Sequence, residues 1–286
     1  MASNSLARRV FKRVLAPLMG DRGYRYVQAA AKSWDIRRGA FTEPEVALVA
    51  LAVRPGDTVL DIGANLGMYC YHLSKAVGPS GRVVAFEPVP FTYQTLRIVT
   101  RLLGLRNVEV TPKGCSDHTG TVTFRVPLQS SGALMTGQAH LGSRVDERGG
   151  SEDHKTWEAT KEVACEVVAL DDFLPPLDDL PFLKIDIEGA ELLAFRGAEK
   201  TIDRHRPTVL LEIYPWCLEG FGLSLNDLTG FFHAKGYGLY SYDPRARQLE
   251  SVSSVEAIRQ GNYVFLHPSR RDRLASILDR QSAVTS

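Results

Sequence analysis

From residue 57 onward, short apolar runs alternate with longer stretches whose apolar positions recur every three or four residues. The runs Thr58–Ile62, Arg82–Phe86, Asn107–Val110, Phe182–Ile187 and Val209–Ile213 have strand length and end at turn residues or at the start of a helical stretch. Between them, Met68–Val77, Thr92–Leu103, Leu192–His205 and Leu225–Lys235 read as helices. In the second of these, Leu96, Val99, Leu102 and Leu103 are assigned to one face. Val122–Val126 alternates like an added hairpin strand, and Gly238–Tyr242 and Tyr263–Leu266 are late strands placed to pair antiparallel at an edge. Strands alternating with helices predict an α/β protein with a doubly wound, mostly parallel sheet and helices on both faces.

Two segments depart from this rhythm. Residues 129–161 are rich in Gly, Ser and charge and poor in large apolar residues, which predicts a loop insertion. At the N-terminus, Leu6, Val10, Val14 and Leu18 recur every four residues with Phe11 and Leu15 beside them, which predicts an amphipathic helix. The division expected is a basic helical extension over 1–50, a main domain over 51–268 and a tail over 269–286. No apolar run is long enough to predict a membrane span, and no internal repeat is visible.

Composition changes this picture little. With 286 residues, 44% hydrophobic and 23% charged, the chain is long enough for a large buried core, and disordered or fibrous classes are excluded. The cysteines (Cys70, Cys115, Cys165, Cys217) lie far apart without a CxxC pair, against a zinc ribbon or a disulfide framework and in favour of a reducing, cytoplasmic setting. Net charge is +1, but the first forty residues carry +7 and the remainder −6. The balance argues against a nucleic-acid partner. The basic end is read as a helix packed across the main domain with a solvated face, with peripheral membrane contact through residues 1–20 as the alternative.

The strongest local signal is Val59-Leu60-Asp61-Ile62-Gly63-Ala64-Asn65-Leu66-Gly67, a buried strand running into a glycine turn that opens a helix. The next strand ends at Phe86-Glu87-Pro88, so Glu87 enters the same crevice at the carboxyl ends of the strands, where it can accept ribose hydroxyls. A dinucleotide site reads G-x-G-x-x-G; here Asp61 precedes the turn, and a carboxylate there repels a pyrophosphate but suits a ligand carrying an ammonium group, such as S-adenosylmethionine.

These residues resemble the FkbM family of S-adenosylmethionine-dependent methyltransferases, over roughly Val53 to Tyr240. Besides the glycine turn and Ala85-Phe86-Glu87-Pro88, the matching pieces include Gly114-Cys115-Ser116-Asp117, Ala169-Leu170-Asp171-Asp172-Phe173 and the distinctive Lys184-Ile185-Asp186-Ile187-Glu188-Gly189-Ala190-Glu191. The resemblance implies a class I methyltransferase fold, with seven strands and an antiparallel last strand. It also implies methylation of a hydroxyl on a sugar, glycolipid or polyketide-type small molecule. Carried over, Asp61, Gly63, Ala64, Asn65 and Gly67 line the methionine end of the cofactor. Glu87 with Pro88 holds the ribose, and Cys115 and Ser116 lie near the adenine.

An alcohol is a weak nucleophile at neutral pH, so a general base is called for. Asp186, Glu188 and Glu212 end neighbouring strands and are the catalytic candidates; alternatively, Asp186 and Glu212 hold a divalent cation such as magnesium. Glu191 is read as structural, at the start of a helix. His140, His154, Tyr214 and Trp216 rank lower as acceptor contacts. Asp171-Asp172 is read as capping a turn before Pro175-Pro176, and Trp34, Arg37 and Arg38 as covering the site from the N-terminal side. The partner expected is a small-molecule or glycan hydroxyl acceptor, with a second copy of the chain as a further candidate. The competing functions are an RNA ribose O-methyltransferase and a dinucleotide-dependent oxidoreductase.

Overall fold

The computed structural model describes residues 16–40, 42–127, 140–141 and 160–278. The first strands are β1 (Thr58–Ile62), β2 (Arg82–Phe86), β3 (Val108–Thr111), β4 (Gly114–Cys115), β5 (Gly120–Pro127) and β6 (His140–Leu141). They are followed by β7 (Thr160–Val168), β8 (Phe182–Ile185), β9 (Thr208–Ile213), β10 (Gly238–Asp243), β11 (Gln248–Ser251) and β12 (Gly261–Leu266). The helices of the N-terminal half are α1 (Ala16–Arg37), α2 (Val46–Ala52), α3 (Met68–Val77) and α4 (Pro90–Leu103). Those of the C-terminal half are α5 (Leu170–Phe173), α6 (Glu191–Arg196), α7 (Glu199–His205), α8 (Pro215–Glu219), α9 (Leu225–His233) and α10 (Arg271–Leu274).

The main sheet has the order β11-β10-β12-β9-β8-β1-β2-β3. Strands β3, β2, β1, β8 and β9 are parallel, and β12 inserts antiparallel between β9 and β10. This is the class I methyltransferase arrangement with its reversed last strand, extended by β11, so eight strands stand where seven were expected. The late strands do pair antiparallel, but β11 occupies the edge beside them.

Side-chain alternation sorts the core into two layers. Leu60, Ile62, Val84, Phe86, Leu183, Ile185, Val209 and Leu211 face α6, α7 and α9. Val59, Val83, Phe182, Leu210 and Val264 face α2, α3 and α10. Both faces are covered, which is why the strands read as unbroken apolar runs. Leu48, Val49 and Ala52 of α2 are buried in the second layer, and so are Leu274 and Ile277, anchored by the Arg273–Asp57 ion pair. The segments flanking the central alternation are therefore built into the fold.

Four local expectations are corrected. The run Phe182–Ile187 leaves the strand after Ile185. The helix over Leu192–His205 is two helices: a Cβ at Gly197 would stand 2.0 Å from the Ser116 carbonyl oxygen, so the chain crosses another backbone there and restarts at Glu199. Asp171 caps that restart rather than a turn before the prolines, accepting from the backbone N–H of Lys200 and Thr201 at 2.9 and 2.8 Å. Leu102 is 46% exposed, because it sits about a quarter turn away from the Leu96–Val99–Leu103 stripe.

The region of 129–161 also differs at its edges. Thr160 and Lys161 begin β7, which pairs with β5 over eight residues in a second sheet of order β4-β7-β5-β6. Residues 128–139 and 142–159, with His154, lie outside the described residues, as does the amphipathic run over Leu6–Leu15.

Candidate active site

The site is built from two turns that lock together. After β1, Gly63 and Asn65 adopt positive φ of 80° and 46°, and the N–H groups of Gly63 and Ala64 both donate to the Phe86 carbonyl at 3.0 Å. After β8, the Asp186 N–H donates to the Ile62 carbonyl at 3.0 Å, which carries its backbone across the first turn. A Cβ at Gly63 would stand 1.9 Å from the Asp186 carbonyl oxygen, so glycine is required twice over, by φ and by contact.

Glu87 follows β2 and is 5% exposed. Its carboxylate accepts from the Asn65 N–H at 3.1 Å and the Val89 N–H at 3.0 Å, which fixes its orientation. Burial pushes its pKa up to about 8, and the nearby Asp61 and Asp186 add to the rise. Asp61, at the end of β1, is pushed up to about 6 by burial against the opposing effect of the Cys70 thiol, which donates to it at 3.0 Å.

A crevice of about 640 Å³, counted out to its open mouth, lies at the carboxyl ends of β1, β2 and β8. Of the expected site residues, Gly63, Asn65, Glu87, Pro88, Cys115, Asp186 and Glu188 line it together. Phe124 of the second sheet adds an apolar wall that the sequence did not signal as part of the site. Five expected residues stand outside the lining, Glu212 near the end of β9 among them. Asp61 is 1% exposed and engaged by Cys70. Ala64 packs with Cys70, Ala85 and Leu96. Gly67 starts α3, where a Cβ would meet Leu96 at 2.7 Å. Ser116 is 3% exposed, its hydroxyl on Asp117 and its carbonyl under Gly197.

The turn carrying Asp186 and Glu188 is held from within. Glu188 has φ 56°, a backbone conformation that non-glycine residues rarely adopt. Glu191, 2% exposed, accepts from the N–H groups of Ile187 and Gly189, both at 3.2 Å, so its role is to fold this turn. Asp186 is 35% exposed toward the crevice. Glu212 stands near the end of β9; burial raises its pKa, and Asp186 raises it further. Tyr214 and Trp216 follow, their rings edge to face at 5.4 Å.

A buried cation organises these acids. Lys184 pairs with Asp61 in the β1–β8 register and is 2% exposed. Its ammonium lies 3.8 Å from the Asp186 carboxylate and 4.9 Å above the Tyr69 ring. The Tyr69 hydroxyl donates to Glu43 at 2.7 Å, and the Asn262 amide donates to the same carboxylate oxygen at 3.1 Å. The segment before α2 is thereby fastened beside the site. Lys184 stood in the distinctive motif, and its one signal was a charge inside an otherwise apolar strand. Glu43, Tyr69 and Asn262 gave none, since their meeting is set by tertiary packing.

Among the described residues no three metal-ligating side chains are grouped to hold an ion. Asp186 and Glu212 offer two carboxylates, one already compensated by Lys184, which is a poor set for magnesium. A nucleoside carrying positive charge fits better: burial raises the pKa of Asp61, Glu87 and Glu212, the neighbouring Asp186 raises each further, and a cation entering the crevice relieves that repulsion.

Trp34, Arg37 and Arg38 do not cover the crevice. Trp34 is 60% exposed on α1, and the Arg37 guanidinium donates to the Leu102 carbonyl at the far end of α4 from Glu87.

The sheet order and the acid-flanked glycine turn define a class I S-adenosylmethionine-dependent methyltransferase fold. Within that class, the FkbM methyltransferase domain matches residues 61–239, and the chain belongs to that family, with S-adenosylmethionine as cofactor. Among its relatives, Methyltransferase 1 of Beauveria bassiana is 29% identical over 155 residues, covering 51% of this chain and 60% of that protein. The 31-O-demethyl-FK506 methyltransferase FkbM of Streptomyces tacrolimicus is 29% identical over 191 residues, 59% of this chain and 70% of that protein. The match thus spans about 60% to 70% of the length of these relatives. The crystal structure of a methyltransferase FkbM from Methylobacillus flagellatus KT aligns with a TM-score of 0.45 at 20% identity, over 78% of this chain and 50% of that one.

Proposed function

We propose that the chain is an O-methyltransferase that methylates a hydroxyl of a sugar, glycolipid or polyketide-type small molecule. The observation that carries this reading is the placement of Asp186 on the crevice, with Lys184 buried behind it and Glu87 across from it. The name of the Streptomyces tacrolimicus relative, which gives an O-demethylated compound as its substrate, supports an oxygen acceptor.

When bound, S-adenosylmethionine supplies a sulfonium methyl already activated toward displacement by oxygen. The chain's own residues do the rest. Glu87, oriented by two backbone N–H groups, accepts the ribose hydroxyls. Gly63 brings bare backbone to the ligand, with Asn65 beside it. Asp186 accepts the acceptor hydroxyl's proton, and Lys184 holds its carboxylate in place as a positioning residue. Glu188 borders the acceptor and Phe124 excludes water from one side; Glu212 and Tyr214 are hydrogen-bonded to each other at the end of β9.

The test is methyl transfer from labelled S-adenosylmethionine to a panel of hydroxylated sugars, glycolipids and polyketides, with amine-bearing analogues and RNA transcripts alongside. Label entering an alkali-stable ether of a hydroxylated small molecule supports the reading. Transfer to the amines or to RNA alone contradicts it.

A further inference from the structure

We propose that the solvent face of α1, with the adjoining end of α4, is a docking surface for an anionic lipid bilayer. Among the described residues, the large apolar side chains that stand exposed are Tyr26, Trp34 and Leu102, at 56%, 60% and 46%, and all three belong to these two helices. Tyr26, Ala30 and Trp34 follow one another at four-residue spacing, so they share the outer face of α1. Arg37 joins the helices through its bond to the Leu102 carbonyl, and the Arg38 guanidinium lies 5.5 Å from the Trp34 ring.

The polar residues of this surface have one dominant sign. Arg22, Arg37 and Arg38 are exposed on and just after α1, and Arg97, Arg101 and Arg106 on and just after α4. From Pro90 to Arg106 there is no acid at all. On α1 the acids are Asp21 and Asp35, and Asp35 acts electrostatically on the partly buried Lys32 of its own helix.

Exposed aromatic and aliphatic side chains set among arginines match a headgroup region, where the rings seat at the interface and the guanidinium groups meet lipid phosphates. RNA would satisfy the charge but leave Leu102 and the aliphatic edge of the patch against water. Residues 1–15, outside the described set, carry Arg8, Arg9, Lys12 and Arg13, so charge does not favour them as the cover. Beneath this surface α1 is packed toward the crevice: the buried Tyr24 stacks on Phe91 at 6.2 Å, two residues from the crevice-lining Val89.

The full chain is to be sedimented with phosphatidylcholine vesicles, with or without phosphatidylserine, at low and high salt. Binding is expected to the phosphatidylserine vesicles alone and to fall as salt rises. Each arginine near an anionic bilayer strengthens binding about fivefold, so R38Q/R97Q/R101Q is expected to bind roughly a hundredfold more weakly. Y26A/W34A is expected to bind more weakly at every salt concentration. These side chains are exposed, so both variants should keep the wild-type melting temperature, and binding does not depend on methyl transfer. Wild-type binding by both variants, absence of binding to either vesicle, or retention on RNA without vesicle binding would each overturn the proposal.

Discussion

At the scale of single residues, the proposed reaction has Asp186 take the proton, Lys184 position it and Glu87 hold the ribose. Replacing Asp186 with Asn keeps its size and removes the proton acceptor, so turnover should fall by about 100-fold or more while S-adenosylhomocysteine binding changes little. Steady-state kinetics beside calorimetric titration separate the two effects. K184M should also lower turnover with little change in S-adenosylhomocysteine binding, because Asp186 loses the cation that holds its carboxylate from 3.8 Å away. Three buried carboxyls give a signed pH dependence. Asp61, Glu191 and Glu87 have folded-state pKa values raised to about 6, 7 and 8. In the unfolded chain they ionise near the ordinary carboxyl values, so the folded state binds more protons between about pH 4 and pH 8. Their contribution to stability is therefore full below that window and lost as pH rises through it. The melting temperature of the ligand-free chain should drop from pH 5 to pH 8, and E87Q should flatten the upper part of that slope. A melting temperature that climbs over the same range contradicts the burial of these groups.

At the scale of elements, the decisive features are the points where one backbone crosses another. G63A should abolish ligand binding and destabilise the fold, since its Cβ would enter the Asp186 carbonyl. D171A should remove the cap of α7 and cost about 1–2 kcal/mol in denaturant unfolding, leaving the crevice intact. The legibility of the sequence follows the same division. The turn after β1 and the acid after β2 could be read because a glycine, an apolar strand and a carboxylate stand in a fixed local order there. The break at Gly197 could not be read, because its cause is a carbonyl about eighty residues earlier in the chain. Strand β7 was obscured for a different reason: its alternation begins inside a polar, low-hydrophobicity stretch that resembles a loop. The helical face containing Leu102 was overextended because periodicity gives a stripe but not the width that its neighbour covers.

Across the whole molecule, the parallel sheet brings several acids from separate strands to one edge, and the flanking segments close around it. Glu43, fixed by Tyr69 and Asn262, ties the N-terminal segment to the last strand, while Arg273 on Asp57 ties the C-terminal helix to the entry of β1. Ligand binding at this edge should raise the melting temperature in proportion to the logarithm of ligand concentration. It should also release protons near neutral pH, because a cationic ligand favours the ionised forms of Glu87 and Asp61. The most direct test of the central claim is calorimetric titration of the purified chain with S-adenosylmethionine, for wild type and E87Q. Saturable binding of one molecule per chain, weakened roughly 10–100-fold in E87Q by loss of hydrogen bonds to a charged acceptor, is the predicted result. No binding by the wild type, or equal binding by both proteins, would contradict it.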